Sequence, residues 1–250
     1  IKKSLCIMSH KMPKTSLKAR MLKIIYNSPL EKNLNLILRY DPIVKNLKNI
    51  AKKNKNLKIL EIGSGSIGIT RFYKGHVVGI DVESEKYNHP RLKFMKGSAT
   101  TLPFKKNSFD VVISIDTLEH LTRKDQLKMV LEAHRVAKRH IMFTYPIGFN
   151  KYHEKMLKTW KKSHLTKSLE EHLEGGTAKG DEVQQALKGR KYKLTTKDGT
   201  HPRLAYHLSY LEQNMVTKIL SRTVLKIFLP LLKRLPKGKI RRYFFVTKVG

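Results

Sequence analysis

Leu57-Lys58-Ile59-Leu60-Glu61-Ile62-Gly63-Ser64-Gly65-Ser66-Ile67-Gly68-Ile69-Thr70-Arg71 is the stretch whose reading decides the fold. Its first half is a short apolar run with β-branched residues, the pattern of a strand buried in a parallel sheet. Its second half sets Gly63, Gly65 and Gly68 within six positions. Glycine reaches positive φ and keeps any Cβ out of the way of a ligand. A strand, a tight glycine turn and a helix beginning over residues 67–73 make the first unit of an α/β sheet that binds ligands where its strands end. Several cofactor classes use the spacing Gly-x-Gly-x-x-Gly, so the flanking sequence has to decide between them.

Val77-Val78-Gly79-Ile80-Asp81 reads as a second buried strand, ending in a carboxylate eighteen positions after Gly63. A carboxylate at that place can accept hydrogen bonds from both hydroxyls of a ribose. Residues 91–95, 109–115 and 140–145 read as the third, fourth and fifth strands, the last stopped by Pro146. Residues 123–137 are amphipathic, with Leu127, Val130, Leu131 and His134 at helical spacing. Residues 191–196 and 241–249 are candidates for strands six and seven, with a helical excursion over 207–235 between them. Ahead of the glycine turn, residues 29–51 read as helical segments interrupted at Pro42. They are expected to cover a sheet edge, with packing beside the cofactor mouth as the alternative.

Further along stand Gly97-Ser98-Ala99, Leu102-Pro103-Phe104, Ser108-Phe109-Asp110-Val111-Val112-Ile113-Ser114-Ile115-Asp116 and Leu118-Glu119-His120. Taken in order with the glycine turn and Asp81, these resemble the class I S-adenosylmethionine-dependent methyltransferases. Within that family the likeness is to the broad small-molecule, "type 11" methyltransferase-domain group, and it covers residues 57–146. The resemblance implies an α/β, Rossmann-like doubly wound sheet of seven strands with the last antiparallel. Outside the likeness, the residues read as a basic helical N-terminal extension over 1–51 ahead of a methyltransferase domain over 52–250. By its polar, glycine-interrupted composition 150–190 reads as a lid or substrate segment of that domain, and 203–236 as a helical insertion before the last strand.

By the same resemblance, S-adenosylmethionine is the cofactor. Glu61 would orient its methionine part through the glycine loop, while Gly63, Ser64 and Gly65 give backbone access. Asp81 would hold the ribose, with Val82 beside it, and Ser98 and Ala99 would flank the adenine. Two features depart from the family pattern: Ser98 stands where an Asp is more usual, and the third glycine falls one place late. Glu61 could instead cap the neighbouring turn. Asp116 could line the pocket or cap the helix at Leu118. His120 is the nearest candidate general base by intrinsic pKa, although Leu-Glu-His often only shapes the pocket. Glu61, Asp81 and Asp116 fall at or near strand ends that converge on one crevice, which suggests a local acidic pocket for a cationic cofactor.

The 250 residues suit one α/β domain with elaborations. A single cysteine, Cys6, excludes an intramolecular disulfide and fits a reducing, cytoplasmic compartment. The start at Ile1 rather than Met suggests trimming or an incomplete N-terminus. Acids total 19 against 52 Lys and Arg, a net charge of +33 that attracts polyanions. The lysines are spread along the chain, a pattern that compositional bias also produces.

None of the eleven histidines has another three or four residues away, so no helical metal pair is present and no metal is expected. Cys6 lies far from every motif, and the Asn/Asp-Pro-Pro-aromatic tetrapeptide of many nucleic-acid amino-methyltransferases is missing. No Tyr is followed four places on by Lys, which disfavours a short-chain dehydrogenase. The expected function is methyl transfer by in-line displacement to a small-molecule, lipid-linked or glycan acceptor. An RNA methyltransferase is the main alternative, and a nicotinamide-dinucleotide oxidoreductase a weaker one. Residues 216–242 combine Leu225, Leu231, Leu232 and Leu235 with Lys233, Arg234, Arg241 and Arg242. They read as a core helix, or as an amphipathic surface for an anionic inner-membrane face.

Overall fold

The computed structural model describes residues 34–83, 89–147, 178–201, 204, 207–208, 211, 217, 227–235 and 237–249. Among them one sheet of seven strands runs in the order β3-β2-β1-β4-β5-β7-β6. The strands are β1 Ile59–Ile62, β2 Val77–Asp81, β3 Leu92–Lys96, β4 Phe109–Ile115, β5 Ala137–Pro146, β6 Tyr192–Thr200 and β7 Lys237–Lys248. β1 lies at the centre with all four residues buried, parallel to both β2 and β4. β7 runs antiparallel to β5 and to β6. The doubly wound sheet with its antiparallel last strand is therefore as expected, with β5, β6 and β7 longer than their sequence signals.

Side chains alternate across the strands and build a core on each face. Helix α1, Leu34–Lys53, lays Ile43, Val44 and Leu47 on Ile59, Val111, Ile113 and Met142. On the other face helix α2, Arg123–Val136, packs Met129, Val130, Ala133 and Val136 against Leu60, Val112, Ile141 and Phe143. The buried stripe of α2 is thus shifted from the expected one; Leu127, Leu131 and His134 are half-buried at its flank.

Three expectations change. α1 is one continuous helix through Pro42 and covers a sheet face, not an edge. Proline cannot donate to the carbonyl four residues back, and the Tyr243 hydroxyl fills that role, lying 3.2 Å from Leu38 O and 3.0 Å from Arg39 O. The helix expected over 67–73 is only a 3₁₀ turn, Gly68–Arg71, closed by Phe72 and Tyr73 N–H groups on Ile69 O. α1 occupies the face that a longer first helix would have covered, and Ile69 is buried in the same cluster.

The third change concerns the segment 150–190. Its end is core, not lid: Ala178, Val183 and Leu187 are fully buried around helix α3, Glu182–Ala186. The lid expectation for 150–177 lies outside the described residues. In helix α4, Leu229–Arg234, Leu229 and Leu232 pack toward Leu34, Leu38 and Leu208, while Ile227, Phe228 and Leu231 are exposed. Leu232 thus belongs to a small core, and Leu225 lies outside the described residues. No helix among the described residues is long and apolar enough to cross a membrane.

Candidate cofactor and acceptor site

The carboxyl ends of β1 and β2 carry the glycine turn. Gly63, with φ +72°, donates its N–H to Ile80 O at 2.8 Å, and a Cβ there would overlap the Thr117 side chain. Gly65, with φ +50°, has open space where a Cβ would stand, and its N–H donates to Asp81 Oδ2 at 2.8 Å. A Cβ on Gly68 would overlap the Glu61 carboxylate. The displaced third glycine is therefore where the chain needs it, directly over Glu61. Tyr40 from α1, Arg71 and the turn residues 64–68 enclose a cavity of about 200 Å³.

Glu61 lies beneath this turn, 1% exposed, and accepts the Ile69 N–H at 2.8 Å. It is thus a cap that shapes the loop. Burial, aided by the Asp81 charge and only partly offset by the Ile69 bond and Arg71, pushes its carboxyl up to about 8. Asp81 is half-buried and tied to the loop by Gly65 on one oxygen and by Glu83 N at 3.2 Å on the other. Val82 beside it is 59% exposed, an apolar side chain standing in the open. Ser98 and Ala99 are half-buried after β3. The Ser98 hydroxyl is engaged with Thr100, 2.9 Å from its Oγ1 and 3.2 Å from its N.

The end of β4 differs from the expected acidic pocket. Asp116 adopts φ +54° and is gripped by two guanidiniums, Arg39 Nη1 at 2.8 Å and Arg241 Nη1 on the other oxygen. Burial alone would raise its carboxyl, but Arg241 and Arg39 outweigh it and hold Asp116 below the usual range. Asp116 thus ties α1 and β7 together at the crevice, and its negative charge is countered. Arg241 reaches it across a register break in β7, where Asp198 faces Arg242 but Gly199 faces Gly238.

Glu119, in the 3₁₀ turn Leu118–His120, is 3% exposed. Its Oε2 has no hydrogen-bond partner among the described residues. Burial and the neighbouring Asp116 push its carboxyl up to about 8, with Arg241 and Arg39 pulling against that rise. His120, by contrast, is exposed. The structure brings the turn glycines, Glu61 and Asp81 together, with Val82 exposed beside Asp81, and leaves His120 on the surface. Reading the sequence missed Tyr40, Arg39, Arg241 and Glu119. Only Glu119 had a local signal, its place directly after the fourth strand. Among the described residues no group of three or more His, Cys, Asp or Glu could hold a metal.

The comparisons with known proteins agree with this geometry. Residues 60–143 match the family described as "Methyltransferase domain". The sterol 24-C-methyltransferase of Candida albicans is 33% identical over a match covering 27% of this chain and 22% of that protein. The chain therefore spans about a fifth of the curated relative that it matches. Two solved structures share the fold. One is a provisionally assigned sarcosine dimethylglycine methyltransferase from Galdieria sulphuraria, with TM-score 0.52, 17% identity, and coverage of 88% of this chain and 90% of that one. The other is an S-adenosylmethionine-dependent methyltransferase from Thermotoga maritima, named as a possible histamine N-methyltransferase. It has TM-score 0.50, 16% identity, and coverage of 92% of this chain and 95% of that one. Residues 60–143, which hold the glycine turn, Asp81 and the parallel strands from β1 into β5, are thus similar to a methyltransferase domain.

Proposed function

We propose that this protein transfers a methyl group from S-adenosylmethionine by in-line displacement to a small-molecule acceptor, lipid-linked and glycan molecules included. One observation carries the reading. The glycine turn closes on the Asp81 carboxylate through the Gly65 N–H, leaving Gly65 open above and Val82 exposed beside it. The residues fit the cofactor. Each Asp81 oxygen accepts one N–H and keeps acceptor capacity for a ribose hydroxyl. Val82 offers an apolar face for a planar base, and the glycines let the backbone approach. The bound cofactor supplies an electrophilic methyl on a sulfonium.

What the chain adds is position and proton control. Tyr40, brought by α1, walls the turn. The Arg39–Asp116–Arg241 network fixes α1 to β7 at the crevice edge. Glu119, whose Oε2 has no partner among the described residues and whose carboxyl is pushed up to about 8, is assigned the proton exchange with an acceptor in place of the exposed His120. The names of the relatives above refer to sterol, histamine and sarcosine dimethylglycine methyltransferases, which supports a small acceptor.

The test is calorimetry with S-adenosylhomocysteine. Binding should be saturable, with none for a nicotinamide dinucleotide. Asp81→Ala should weaken it about ten- to a hundredfold, the loss of a charged acceptor worth about 1.5–3 kcal/mol. Equal affinity in wild type and variant removes Asp81 from the site. Labelled methyl appearing in RNase-sensitive material from a cell extract would replace the small acceptor with RNA.

A further inference from the structure

The sheet has a second concave region at its opposite end, where the parallel strands begin. We propose that it is an accessory site for a small polyphosphate-type anion. A cavity of about 730 Å³ is walled there by the last turn of α1 and the residues that open β4 and β5. That volume lies within the range of small-ligand pockets. Ligands of doubly wound sheets sit at the carboxyl ends, so the cofactor crevice does not account for this cavity.

Its walls are built for negative charge. Between β4 and β5 the register steps from Phe109 to Val111 on one strand and from Ala137 to His140 on the other. β5 therefore carries an extra residue, a bulge of the kind that re-aims side chains. In a regular strand neighbouring side chains point to opposite faces, yet Lys138, Arg139 and His140 all line this one cavity. Lys53 enters it from α1 and Lys248 from the end of β7.

Lys53, Lys138 and Arg139 are exposed and take part in no ion pair or side-chain hydrogen bond among the described residues. Lys248 is held by neutral acceptors only: Asn107 Oδ1 at 2.9 Å, His134 O at 3.2 Å and Ala137 O at 2.7 Å. Asp110 is the one carboxylate on the wall, and its Oδ2 accepts the Lys58 N–H at 2.9 Å. Four cations thus face one acid across a space wider than a single phosphate needs.

The surroundings deepen the positive potential. Burial, together with the charges of Lys106 and Arg190, holds Lys248 below its ordinary range. Burial and the charges of Lys248, Arg190 and Lys106 hold the adjacent His134 down at about 4. The type of anion follows from what the wall lacks. No Phe, Tyr or Trp lines it, so it has no platform for stacking the bases of a single-stranded nucleic acid. Its shape is a hollow rather than a flat basic face, which favours a compact multivalent ligand over a membrane.

The experiment is calorimetric titration of inorganic tripolyphosphate at physiological salt. One ion should bind per chain. Lys138→Ala with Arg139→Ala should weaken binding about tenfold or more, as loss of charge-assisted contacts does. The same change should leave the thermal shift by S-adenosylhomocysteine intact, which shows that the fold survives. Lys93→Ala with Lys124→Ala removes equal charge from exposed positions elsewhere and should change binding less than about twofold, within what screening allows. Equal losses in the two pairs, or no saturable one-to-one binding, would mean that the anion senses only the net charge of +33, and the site falls. A short single-stranded RNA that binds more tightly, with the same loss at Lys138 and Arg139, would overturn the small-ligand assignment. The inference does not rest on the methyl-transfer reading, and the S-adenosylhomocysteine arm reports on the cofactor site separately.

Discussion

Two glutamates lie at the same depth on opposite sides of this sheet, and they are treated in opposite ways. Glu182, fully buried, accepts from Lys179 N at 2.6 Å, Gly180 N at 2.9 Å, Tyr145 Oη at 2.9 Å and Arg123 Nη1 at 2.5 Å. Glu61, 1% exposed, accepts one backbone N–H beneath the glycine turn. The first carboxylate is a clamp whose donors replace the water it has lost. The second keeps little of that compensation, and its proton affinity rises accordingly. A saturated buried acid fixes structure, whereas an undersaturated one stores a proton beneath the glycine turn.

The largest effect that sharpens this contrast is pH-dependent stability. The Glu61 and Glu119 carboxyls titrate at about 8 in the folded protein against an ordinary 4.5. Below the ordinary value both states are protonated and the fold carries no penalty. As pH rises from there, the unfolded chain releases protons that the folded chain keeps, so stability falls until the folded groups ionise. Each group can contribute up to about 1.4 kcal/mol per pH unit inside that window. Glu61→Gln should flatten the decline measured by urea unfolding between pH 5 and pH 8, leaving the part due to Glu119. An unchanged slope would mean that Glu61 has its donors after all.

The reverse holds for Glu182. Glu182→Ala strips one carboxylate from four donors, among them a guanidinium with side-chain exposure of 34%. It should destabilise by about 3–5 kcal/mol, the usual range for breaking a buried charged pair. The affinity of the remaining folded protein for S-adenosylhomocysteine should not move, because this clamp sits on the α2–α3 side. A variant as stable as wild type would reduce the cluster to decoration.

The same contrast explains what could be read in the sequence. The β1 turn, Asp81 and the positions of the strands were legible because their signals are local: apolar runs of strand length, and glycines spaced for a turn. Glu182 was illegible because the sequence around it, Lys179-Gly180-Asp181, is polar, and its burial depends on Tyr145 and Arg123 from other elements. Asp116 looked like an open acid because Arg39 and Arg241 lie far from it in the chain on either side. Pro42 misled in the same way: a proline signals a break unless a distant donor takes over the freed carbonyl.

That donor gives the smallest and most specific prediction. Tyr243 is 1% exposed, and its hydroxyl reaches Leu38 O and Arg39 O, the carbonyls next to the gap that Pro42 leaves in α1. Tyr243→Phe removes one buried hydrogen bond and leaves the ring in place, so it should destabilise by about 1 kcal/mol. Pro42→Ala restores an N–H that can bond Leu38 O within the helix. In that background Leu38 O no longer depends on the hydroxyl, and Tyr243→Phe should lose less than in wild type. Urea unfolding of the two single variants and the double variant closes the cycle, and the two changes should fail to add by about 0.5 kcal/mol or more. Strict additivity would mean that the hydroxyl does not compensate for Pro42. The unbroken path of α1, which brings Tyr40 to the glycine turn and Arg39 to Asp116, would then rest on its buried face of Ile43, Val44 and Leu47 alone.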